Sequence, residues 1–421
     1  MTTTRELREQ IQKGEFDRTF TKLYPDVTAA RERYIDAISA FENRWGERMA
    51  VLISAPGRTE LGGNHTDHQH GRVLAAAVDS DVICVASPNN GNVITLESKG
   101  HKPDVIELSD LIPRDEEKNH GGALIRGVTA WFNNNGYIIG GFDAYTTSDI
   151  LKGSGLSSSA AFEVAVGNIL NYLYNGGKVS PKEIAIAGKY AENEFFGKPS
   201  GLMDQMASSV GGFICIDFLD TTVTPIDFDF SSSGYTLCVV DTKGSHADLT
   251  ADYAAIPLEM RAVAEFFGKQ YLRDVDERAF RDKIAEIRAA AGDRAVLRAM
   301  HFFADNERVE KQAAALSGGS FEEYLRLVIE SGRSSFMCLQ NIYAGEREQG
   351  LAVALALSER VLSGRGGAWR VHGGGFAGTV QAYVPNGILD EYRAEIEKVF
   401  GDGTCRGLKI RSVGGTRVSA G

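Results

Sequence analysis

Lys152-Gly153-Ser154-Gly155-Leu156-Ser157-Ser158-Ser159-Ala160-Ala161 is the stretch from which the rest of the chain can be read. Two glycines allow a tight backbone turn and three consecutive hydroxyl side chains follow. Phe162, Val166, Ile169, Leu170 and Leu173 then recur at helical spacing. The pattern predicts a phosphate loop opening a helix. Unpaired N–H groups of a first helical turn point outward, where aligned peptide dipoles add partial positive charge, so a polyphosphate can sit there without a dedicated lysine. No Gly-Lys-Ser/Thr closes the stretch, which excludes a Walker A loop. A dinucleotide fingerprint would need a third glycine in a strand–helix–strand context. The plainer reading is an ordinary loop with Ser157 or Ser158 as the helix cap.

A chain of 421 residues is long for one core and suggests two domains. Hydrophobic residues at 43% and charged residues at 24% describe a soluble globular protein without membrane segments, since no apolar run approaches the roughly 20 residues that span a bilayer. The net charge of −11 excludes a basic nucleic-acid-binding stripe, yet a nucleotide can still be held by one loop and one cation. Cys84, Cys215, Cys238, Cys338 and Cys405 are scattered and odd in number, which points to reduced thiols rather than a disulfide frame or a zinc site. The N-terminal residues lack the apolar core of a signal peptide, so a cytoplasmic protein is expected.

Residues 5 to 47 read as helical. Met49 to Ser54 reads as a short apolar strand running into a turn at Ala55-Pro56-Gly57-Arg58. Strand-like runs follow at Val73 to Ala86, Val93 to Ser98, Val105 to Leu108 and Phe142 to Thr147, and predict a mostly antiparallel sheet. Gly122 to Asn133 and Pro181 to Phe196 read as helices, the latter stopped by Gly197. Beyond it, Gly212 to Phe218, Val223 to Phe228 and Thr236 to Asp241 are strands, and about 255 to 330 is nearly all helix. A helix at Gly350 to Leu362 leads to Gly373-Gly374-Gly375-Phe376-Ala377-Gly378 and a strand at Thr379 to Val384. A division falls near residue 220.

Four separated stretches have the composition of a phosphoryl-transfer site, which needs donors around phosphates, a cation held by oxygens, a carboxylate near the attacking hydroxyl and a neutralising cation. The Gly153 loop supplies donors, Ser159 and Glu192 offer hard oxygens suited to magnesium, Asp204 is a carboxylate on a glycine-bounded turn, and Arg58 is the cation. On the residues alone, Glu192 is equally a solvated helix face, Asp204 a cap and Arg58 a surface ion pair.

The set of motifs resembles that of galactokinases in the GHMP kinase superfamily. Ala55-Pro-Gly-Arg58 with Gly63-Asn64-His65-Thr66-Asp67 is similar to their first motif, Gly153 to Ala161 to the second, and Gly373 to Gly378 to the third. Gly201-Leu-Met-Asp-Gln205 is similar to the segment that carries the family's catalytic aspartate, and Arg298 to His301, Asn306 to Arg308 and Tyr253 resemble its helical region and sugar-contacting tyrosine.

The resemblance implies a two-domain α+β fold with mixed, largely antiparallel sheets and the active site in the interdomain cleft. Residues 1–220 would hold the sugar motif, phosphate loop and catalytic aspartate, and 221–421 the helical segment and third motif. It implies transfer of the ATP γ-phosphoryl group to the anomeric hydroxyl of a sugar, galactose first among candidates. Asp204 and Arg58 would be catalytic. Gly153, Ser154, Gly155, Leu156, Ser157, Ser158 and Ser159 would bind ATP, with Ser159 and Glu192 holding Mg2+. Asn64, His65, Asp67, Gly201 and Tyr253 would bind the sugar. Small-molecule partners only are expected, with neither nucleic acid nor membrane, and a monomer or weak homodimer.

Departures bear on the substrate. Asn64 stands where the family has Glu, and His68-Gln69-His70 where it has Tyr-Asn-Gly. A neutral amide at 64 would admit a sugar carboxylate, so galacturonate is the alternative substrate, and a non-catalytic sugar and ATP sensor the alternative of another class. A metal site on His65, Asp67, His68 and His70 is the weaker reading of that cluster, because no helix places two of them on one face.

Overall fold

The computed structural model describes residues 1–150, 155–198, 200–244, 249–343 and 345–421, and its strands fall into two sheets. The larger sheet contains β1 (Thr2–Thr3), β2 (Met49–Gly62), β3 (Arg72–Pro88), β4 (Val93–Ser98), β5 (Asp104–Glu107), β6 (Phe142–Ser148), β7 (Phe213–Asp217), β8 (Thr222–Ile226) and β13 (Thr416–Val418). The smaller one runs in the order β10 (Ala368–His372), β11 (Thr379–Pro385), β9 (Tyr235–Asp241), β12 (Cys405–Leu408). Pairing is antiparallel throughout except between β4 and β6, so the expected mixed, largely antiparallel α+β architecture is present.

Strands β2 and β3 are apolar on both faces because helices cover both. Val51, Ile53 and Ala55 face a core shared with the helices Gly121–Asn134 and Ser158–Tyr174, whereas Ala50 and Leu52 join Tyr34 and Phe41 of the helix Val27–Trp45 on the opposite side. Each such fully buried aliphatic side chain contributes about 1.5–3 kcal/mol. The helix Ser158–Tyr174 is buried nearly all round, Glu163, Asn168 and Asn171 included, rather than along the one apolar stripe its spacing suggested.

Three local expectations are corrected. The run from Met49 does not end in a turn at Pro56: β2 continues to Gly62, with register irregularities against β3 at Pro56/Arg58 and Glu60/Gly62. A bulge of this kind re-aims side chains without breaking the strand. The segment Pro181 to Phe196 is an α-helix only to Tyr190; Ala191–Phe196 widens into a π-helical turn that carries Glu192. Asp204 sits not on a turn but in the first turn of the helix Met203–Val210, where the helix dipole favours a carboxylate.

The division near residue 220 falls between two paired strands, β7 and β8, and β13 returns from the chain's last residues to β2. Neither β10, β12, β13 nor the helix Leu389–Phe400 was anticipated from sequence. No described helix is long and apolar enough to cross a membrane.

Candidate active site

Arg58 and Glu60 lie two residues apart on β2 and so point the same way, into a small cavity. The cavity measures about 150 Å³, and Asp67, Gly201, Asp204 and Tyr253 also line it. Lys198, the Ser200–Asp204 segment and the Gly373–Gly374 stretch after β10 close around it.

Asp204 is held from both oxygens. Arg58 Nε donates to Oδ1 at 2.7 Å and Ser157 Oγ donates to Oδ2 at 2.7 Å. Burial by itself would raise this carboxyl, but the Arg58 charge and the two hydrogen bonds outweigh it and hold the group below the usual carboxylate range. The phosphate loop is locked to the same arginine: Arg58 Nη1 donates to the Gly155 carbonyl, and the Arg58 N–H to that of Leu156 at 3.0 Å. Gly57 is required here, since a Cβ would stand 2.8 Å from the Leu156 oxygen. Ser157 adopts a left-handed conformation and caps nothing with its side chain; its hydroxyl serves Asp204 instead. Gly153 and Ser154 lie outside the described residues. Ser158 is exposed at the start of its helix and Leu156 is buried beneath the loop.

Ser159 Oγ lies 3.2 Å from Glu192 Oε1, so the two expected cation ligands do converge. Lys198 Nζ balances that carboxylate at 3.0 Å. The other oxygen of Glu192 accepts from Gln205 Nε2 at 2.9 Å, and Gln205 also donates to Glu163 Oε2 at 2.9 Å. Glu163 is fully buried and its Oε1 has no partner among the described residues; burial, with the Glu192 charge beside it, pushes its carboxyl well above the usual range. These hard oxygens next to a phosphate loop fit a magnesium ion.

On the wall formed with Asp67, a Cβ at Gly201 would run into Asp67 Oδ2, so the carboxylate would have to shift. His65 Nε2 bonds the Gly374 carbonyl at 2.9 Å and its ring meets that of Tyr253 edge-on at 5.1 Å. Burial, then the nearby His68, lowers the His65 imidazole to about 4, so it is neutral at pH 7. Tyr253 packs against Gly374, where a Cβ would clash with its ring. The third glycine motif thus packs against Tyr253, and its flanking residues approach the loop, since a Cβ on Gly155 would meet His372 at 2.9 Å.

Asn64 is the exception among the expected site residues. It is fully buried behind the cavity wall and its amide is used up by the protein. Nδ2 donates to Glu60 Oε1 at 3.1 Å and to the Gly373 carbonyl at 2.7 Å, while Oδ1 accepts from Asn341 at 2.8 Å and Ser335 at 3.2 Å. The reasoning that a neutral residue 64 admits a sugar carboxylate therefore fails. Glu60 stands in the cavity instead, and the sequence reading missed it. Its Oε1 accepts from Arg370 Nη2 at 2.7 Å and from Asn64, which leaves Oε2 without a protein partner among the described residues. Burial raises its carboxyl despite Arg370. The clue available in sequence was the period of two from Arg58.

The histidine cluster does not converge on a metal. His65 turns to Gly374 and Tyr253, His70 stacks on Tyr271 at 3.6 Å, and no group of three or more metal-capable side chains occurs among the described residues.

Comparison with known proteins agrees with this geometry. Residues 39–88 match the galactokinase galactose-binding signature and residues 123–212 the GHMP kinases N terminal domain. The galactokinase of Glaesserella parasuis is 30% identical over 86% of this chain and 92% of its own, and that of Streptomyces coelicolor 30% identical over 89% and 94%. The crystal structure of Lactococcus lactis galactokinase complexed with galactose has the same fold, with a TM-score of 0.78 at 22% identity over 90% of this chain and 98% of that one. Methanococcus jannaschii mevalonate kinase follows at a TM-score of 0.61, 16% identity and coverage of 86% and 98%. With identity at this level carried through nearly all of two galactokinases, the chain belongs to the galactokinase family of GHMP kinases.

Proposed function

We propose that this protein transfers the γ-phosphoryl group of ATP to the anomeric hydroxyl of galactose. The observation that carries the reading is the Arg58–Asp204 pair, tied to the phosphate loop through Gly155 and Ser157 and opening onto the carboxylate-lined cavity. In that cavity Glu60, Asp67 and Asp204 offer acceptors to the hydroxyls of a neutral polyol and repel a carboxylate, which favours galactose over galacturonate. The sugar O1–H bond gives its proton to Asp204, the O1–P bond forms, the bond from phosphorus to the bridging oxygen breaks, and ADP leaves with that electron pair. A carboxylate this acidic is a weak base. It suffices where the transferred group is metaphosphate-like and the proton leaves late. Arg58 neutralises charge gathering on the moving group.

Ser159 and Glu192 would hold Mg2+, which screens the phosphates when bound. Residues 1–220 supply the loop, base and sugar motif, and 221–421 the glycine-rich wall. A monomer or weak homodimer is part of this reading, and the five free cysteines fit a reducing cytoplasm. An ADP-release assay over a panel of hexoses and hexuronic acids tests the reading. Turnover of galactose above all other monosaccharides is expected. Joint binding of galactose and ATP without ADP release would overturn it in favour of a sensor.

A further inference from the structure

Beyond the sugar pocket lies a cavity of about 820 Å³, more than five times its size. The two are contiguous: Asp67, His68, Lys198, Ser200, Gly201 and Tyr253 line both. Arg58 and Asp204 border only the small one. A sugar whose anomeric hydroxyl meets Asp204 can therefore carry a substituent past the shared wall into the large cavity. A free hexose leaves that space to solvent.

The charge in the large cavity is opposite to that of the protein. The chain carries a net −11, yet Lys189, Lys198, Arg261, His68 and His70 border this space, and Asp67, at the shared wall, is the one acidic residue in the described lining. Lys198 is engaged with Glu192, but Lys189 and Arg261 have no acidic partner within ion-pair distance among the described residues. His70 holds a left-handed backbone at φ 58°, uncommon for a residue with a side chain, and its ring stacks on Tyr271 at 3.6 Å at the cavity edge. Leu202, Pro257 and Phe376 add apolar wall of the kind that packs against sugar rings.

From this we infer that the substrate site extends into the large cavity and takes an acidic disaccharide: a galactose unit with a free anomeric hydroxyl, bearing a uronic acid unit on one of its other oxygens. The inference rests on the sugar-kinase reading and adds to it a second, anion-selective subsite. The carboxylate belongs to the second unit, facing Arg261 and Lys189, because the small pocket already holds three carboxylates.

The test measures kcat/KM by ADP release for galactose, for galactose substituted with glucuronic acid at each non-anomeric oxygen in turn, and for the matching neutral glucosyl-galactoses. At least one acidic disaccharide should exceed both galactose and its neutral counterpart by about tenfold, as expected for one or two hydrogen bonds to a charged group. Arg261→Ala combined with Lys189→Ala should erase that preference while leaving galactose turnover within about twofold, and rising salt should erode it. Turnover of galactose with no acidic disaccharide preferred, or variants that depress all sugars alike, overturns the subsite and leaves the kinase reading standing. Absence of turnover on every sugar overturns both.

Discussion

Arg58 Nε and Asp204 Oδ1 stand 2.7 Å apart, brought together from strand β2 and from the first turn of the helix Met203–Val210. The guanidinium thus does two things: it orients the proposed base and keeps it ionised in a buried setting. Asp204→Asn preserves the shape but removes the proton acceptor, and kcat should fall about 10²–10⁴-fold with little change in sugar KM. Steady-state kinetics on galactose decide this, and a variant retaining full rate would sink the assignment of the base.

The pH dependence follows from the same pair. The Asp204 carboxyl is held below its usual value, so its contribution to stability is complete above the unfolded-state value of about 4 and is lost as pH falls through the lower folded value. Activity should be flat through neutral pH and decline only in acid. Arg58→Gln removes the compensating charge, burial then dominates, and the acid limb of kcat/KM should move to higher pH. A limb that stays in place would show that the arginine does not set the protonation of the base.

Gly201 touches Asp67 so closely that a methyl group has no space between them. Gly201→Ala should push the Asp67 carboxylate off its position and cut kcat/KM for galactose by about 10²-fold, the usual penalty for an ångström of misplacement. The melting temperature should barely change, which separates this effect from unfolding.

The Glu163–Gln205–Glu192 chain sets the orientation of the proposed cation ligand from behind. Gln205→Met breaks both hydrogen bonds at similar volume. The Mg2+ concentration for half-maximal rate should rise about 10–100-fold, as for other groups that steer a ligand without touching the metal. Saturating Mg2+ should restore most of kcat; failure to do so would indicate a lesion elsewhere.

Arg370 is fully buried and Glu60 is its carboxylate partner at 2.7 Å. Glu60→Gln removes the carboxylate that this guanidinium hydrogen-bonds, leaving only the Asp305 charge nearby, and should lower stability by about 3 kcal/mol, measured by denaturant unfolding. It should also raise the sugar KM, since Glu60 lines the cavity.

Much of this could be read from residue order, and what could not has identifiable causes. The stretch from Gly155 to Ser159, Asp204 and Arg58, which the structure brings together, stood out because each sits in a short contiguous motif. Glu60 was not, because its role depends on β2 running unbroken past Pro56, and proline and glycine in that stretch read locally as a turn. Asn64 was misplaced for the converse reason: residues 301, 305, 335 and 341, far away in sequence, claim its backbone and its amide. The all-round burial of the helix Ser158–Tyr174 was hidden as well, since Glu163, Asn168 and Asn171 look like a solvated face until their partners are known.

Strand β13 pairs Thr416 with Ser54 of β2, and beside this seam Arg411 reaches the buried Asp81 and Ser54. The edge of the larger sheet is thus sealed by residues translated more than 350 positions after the strand they cover. Until they emerge, β2 carries unpaired amides and Asp81 lacks one of its cations, so a nascent chain of this protein must wait exposed, and premature termination near residue 410 would release a form prone to stick to its neighbours.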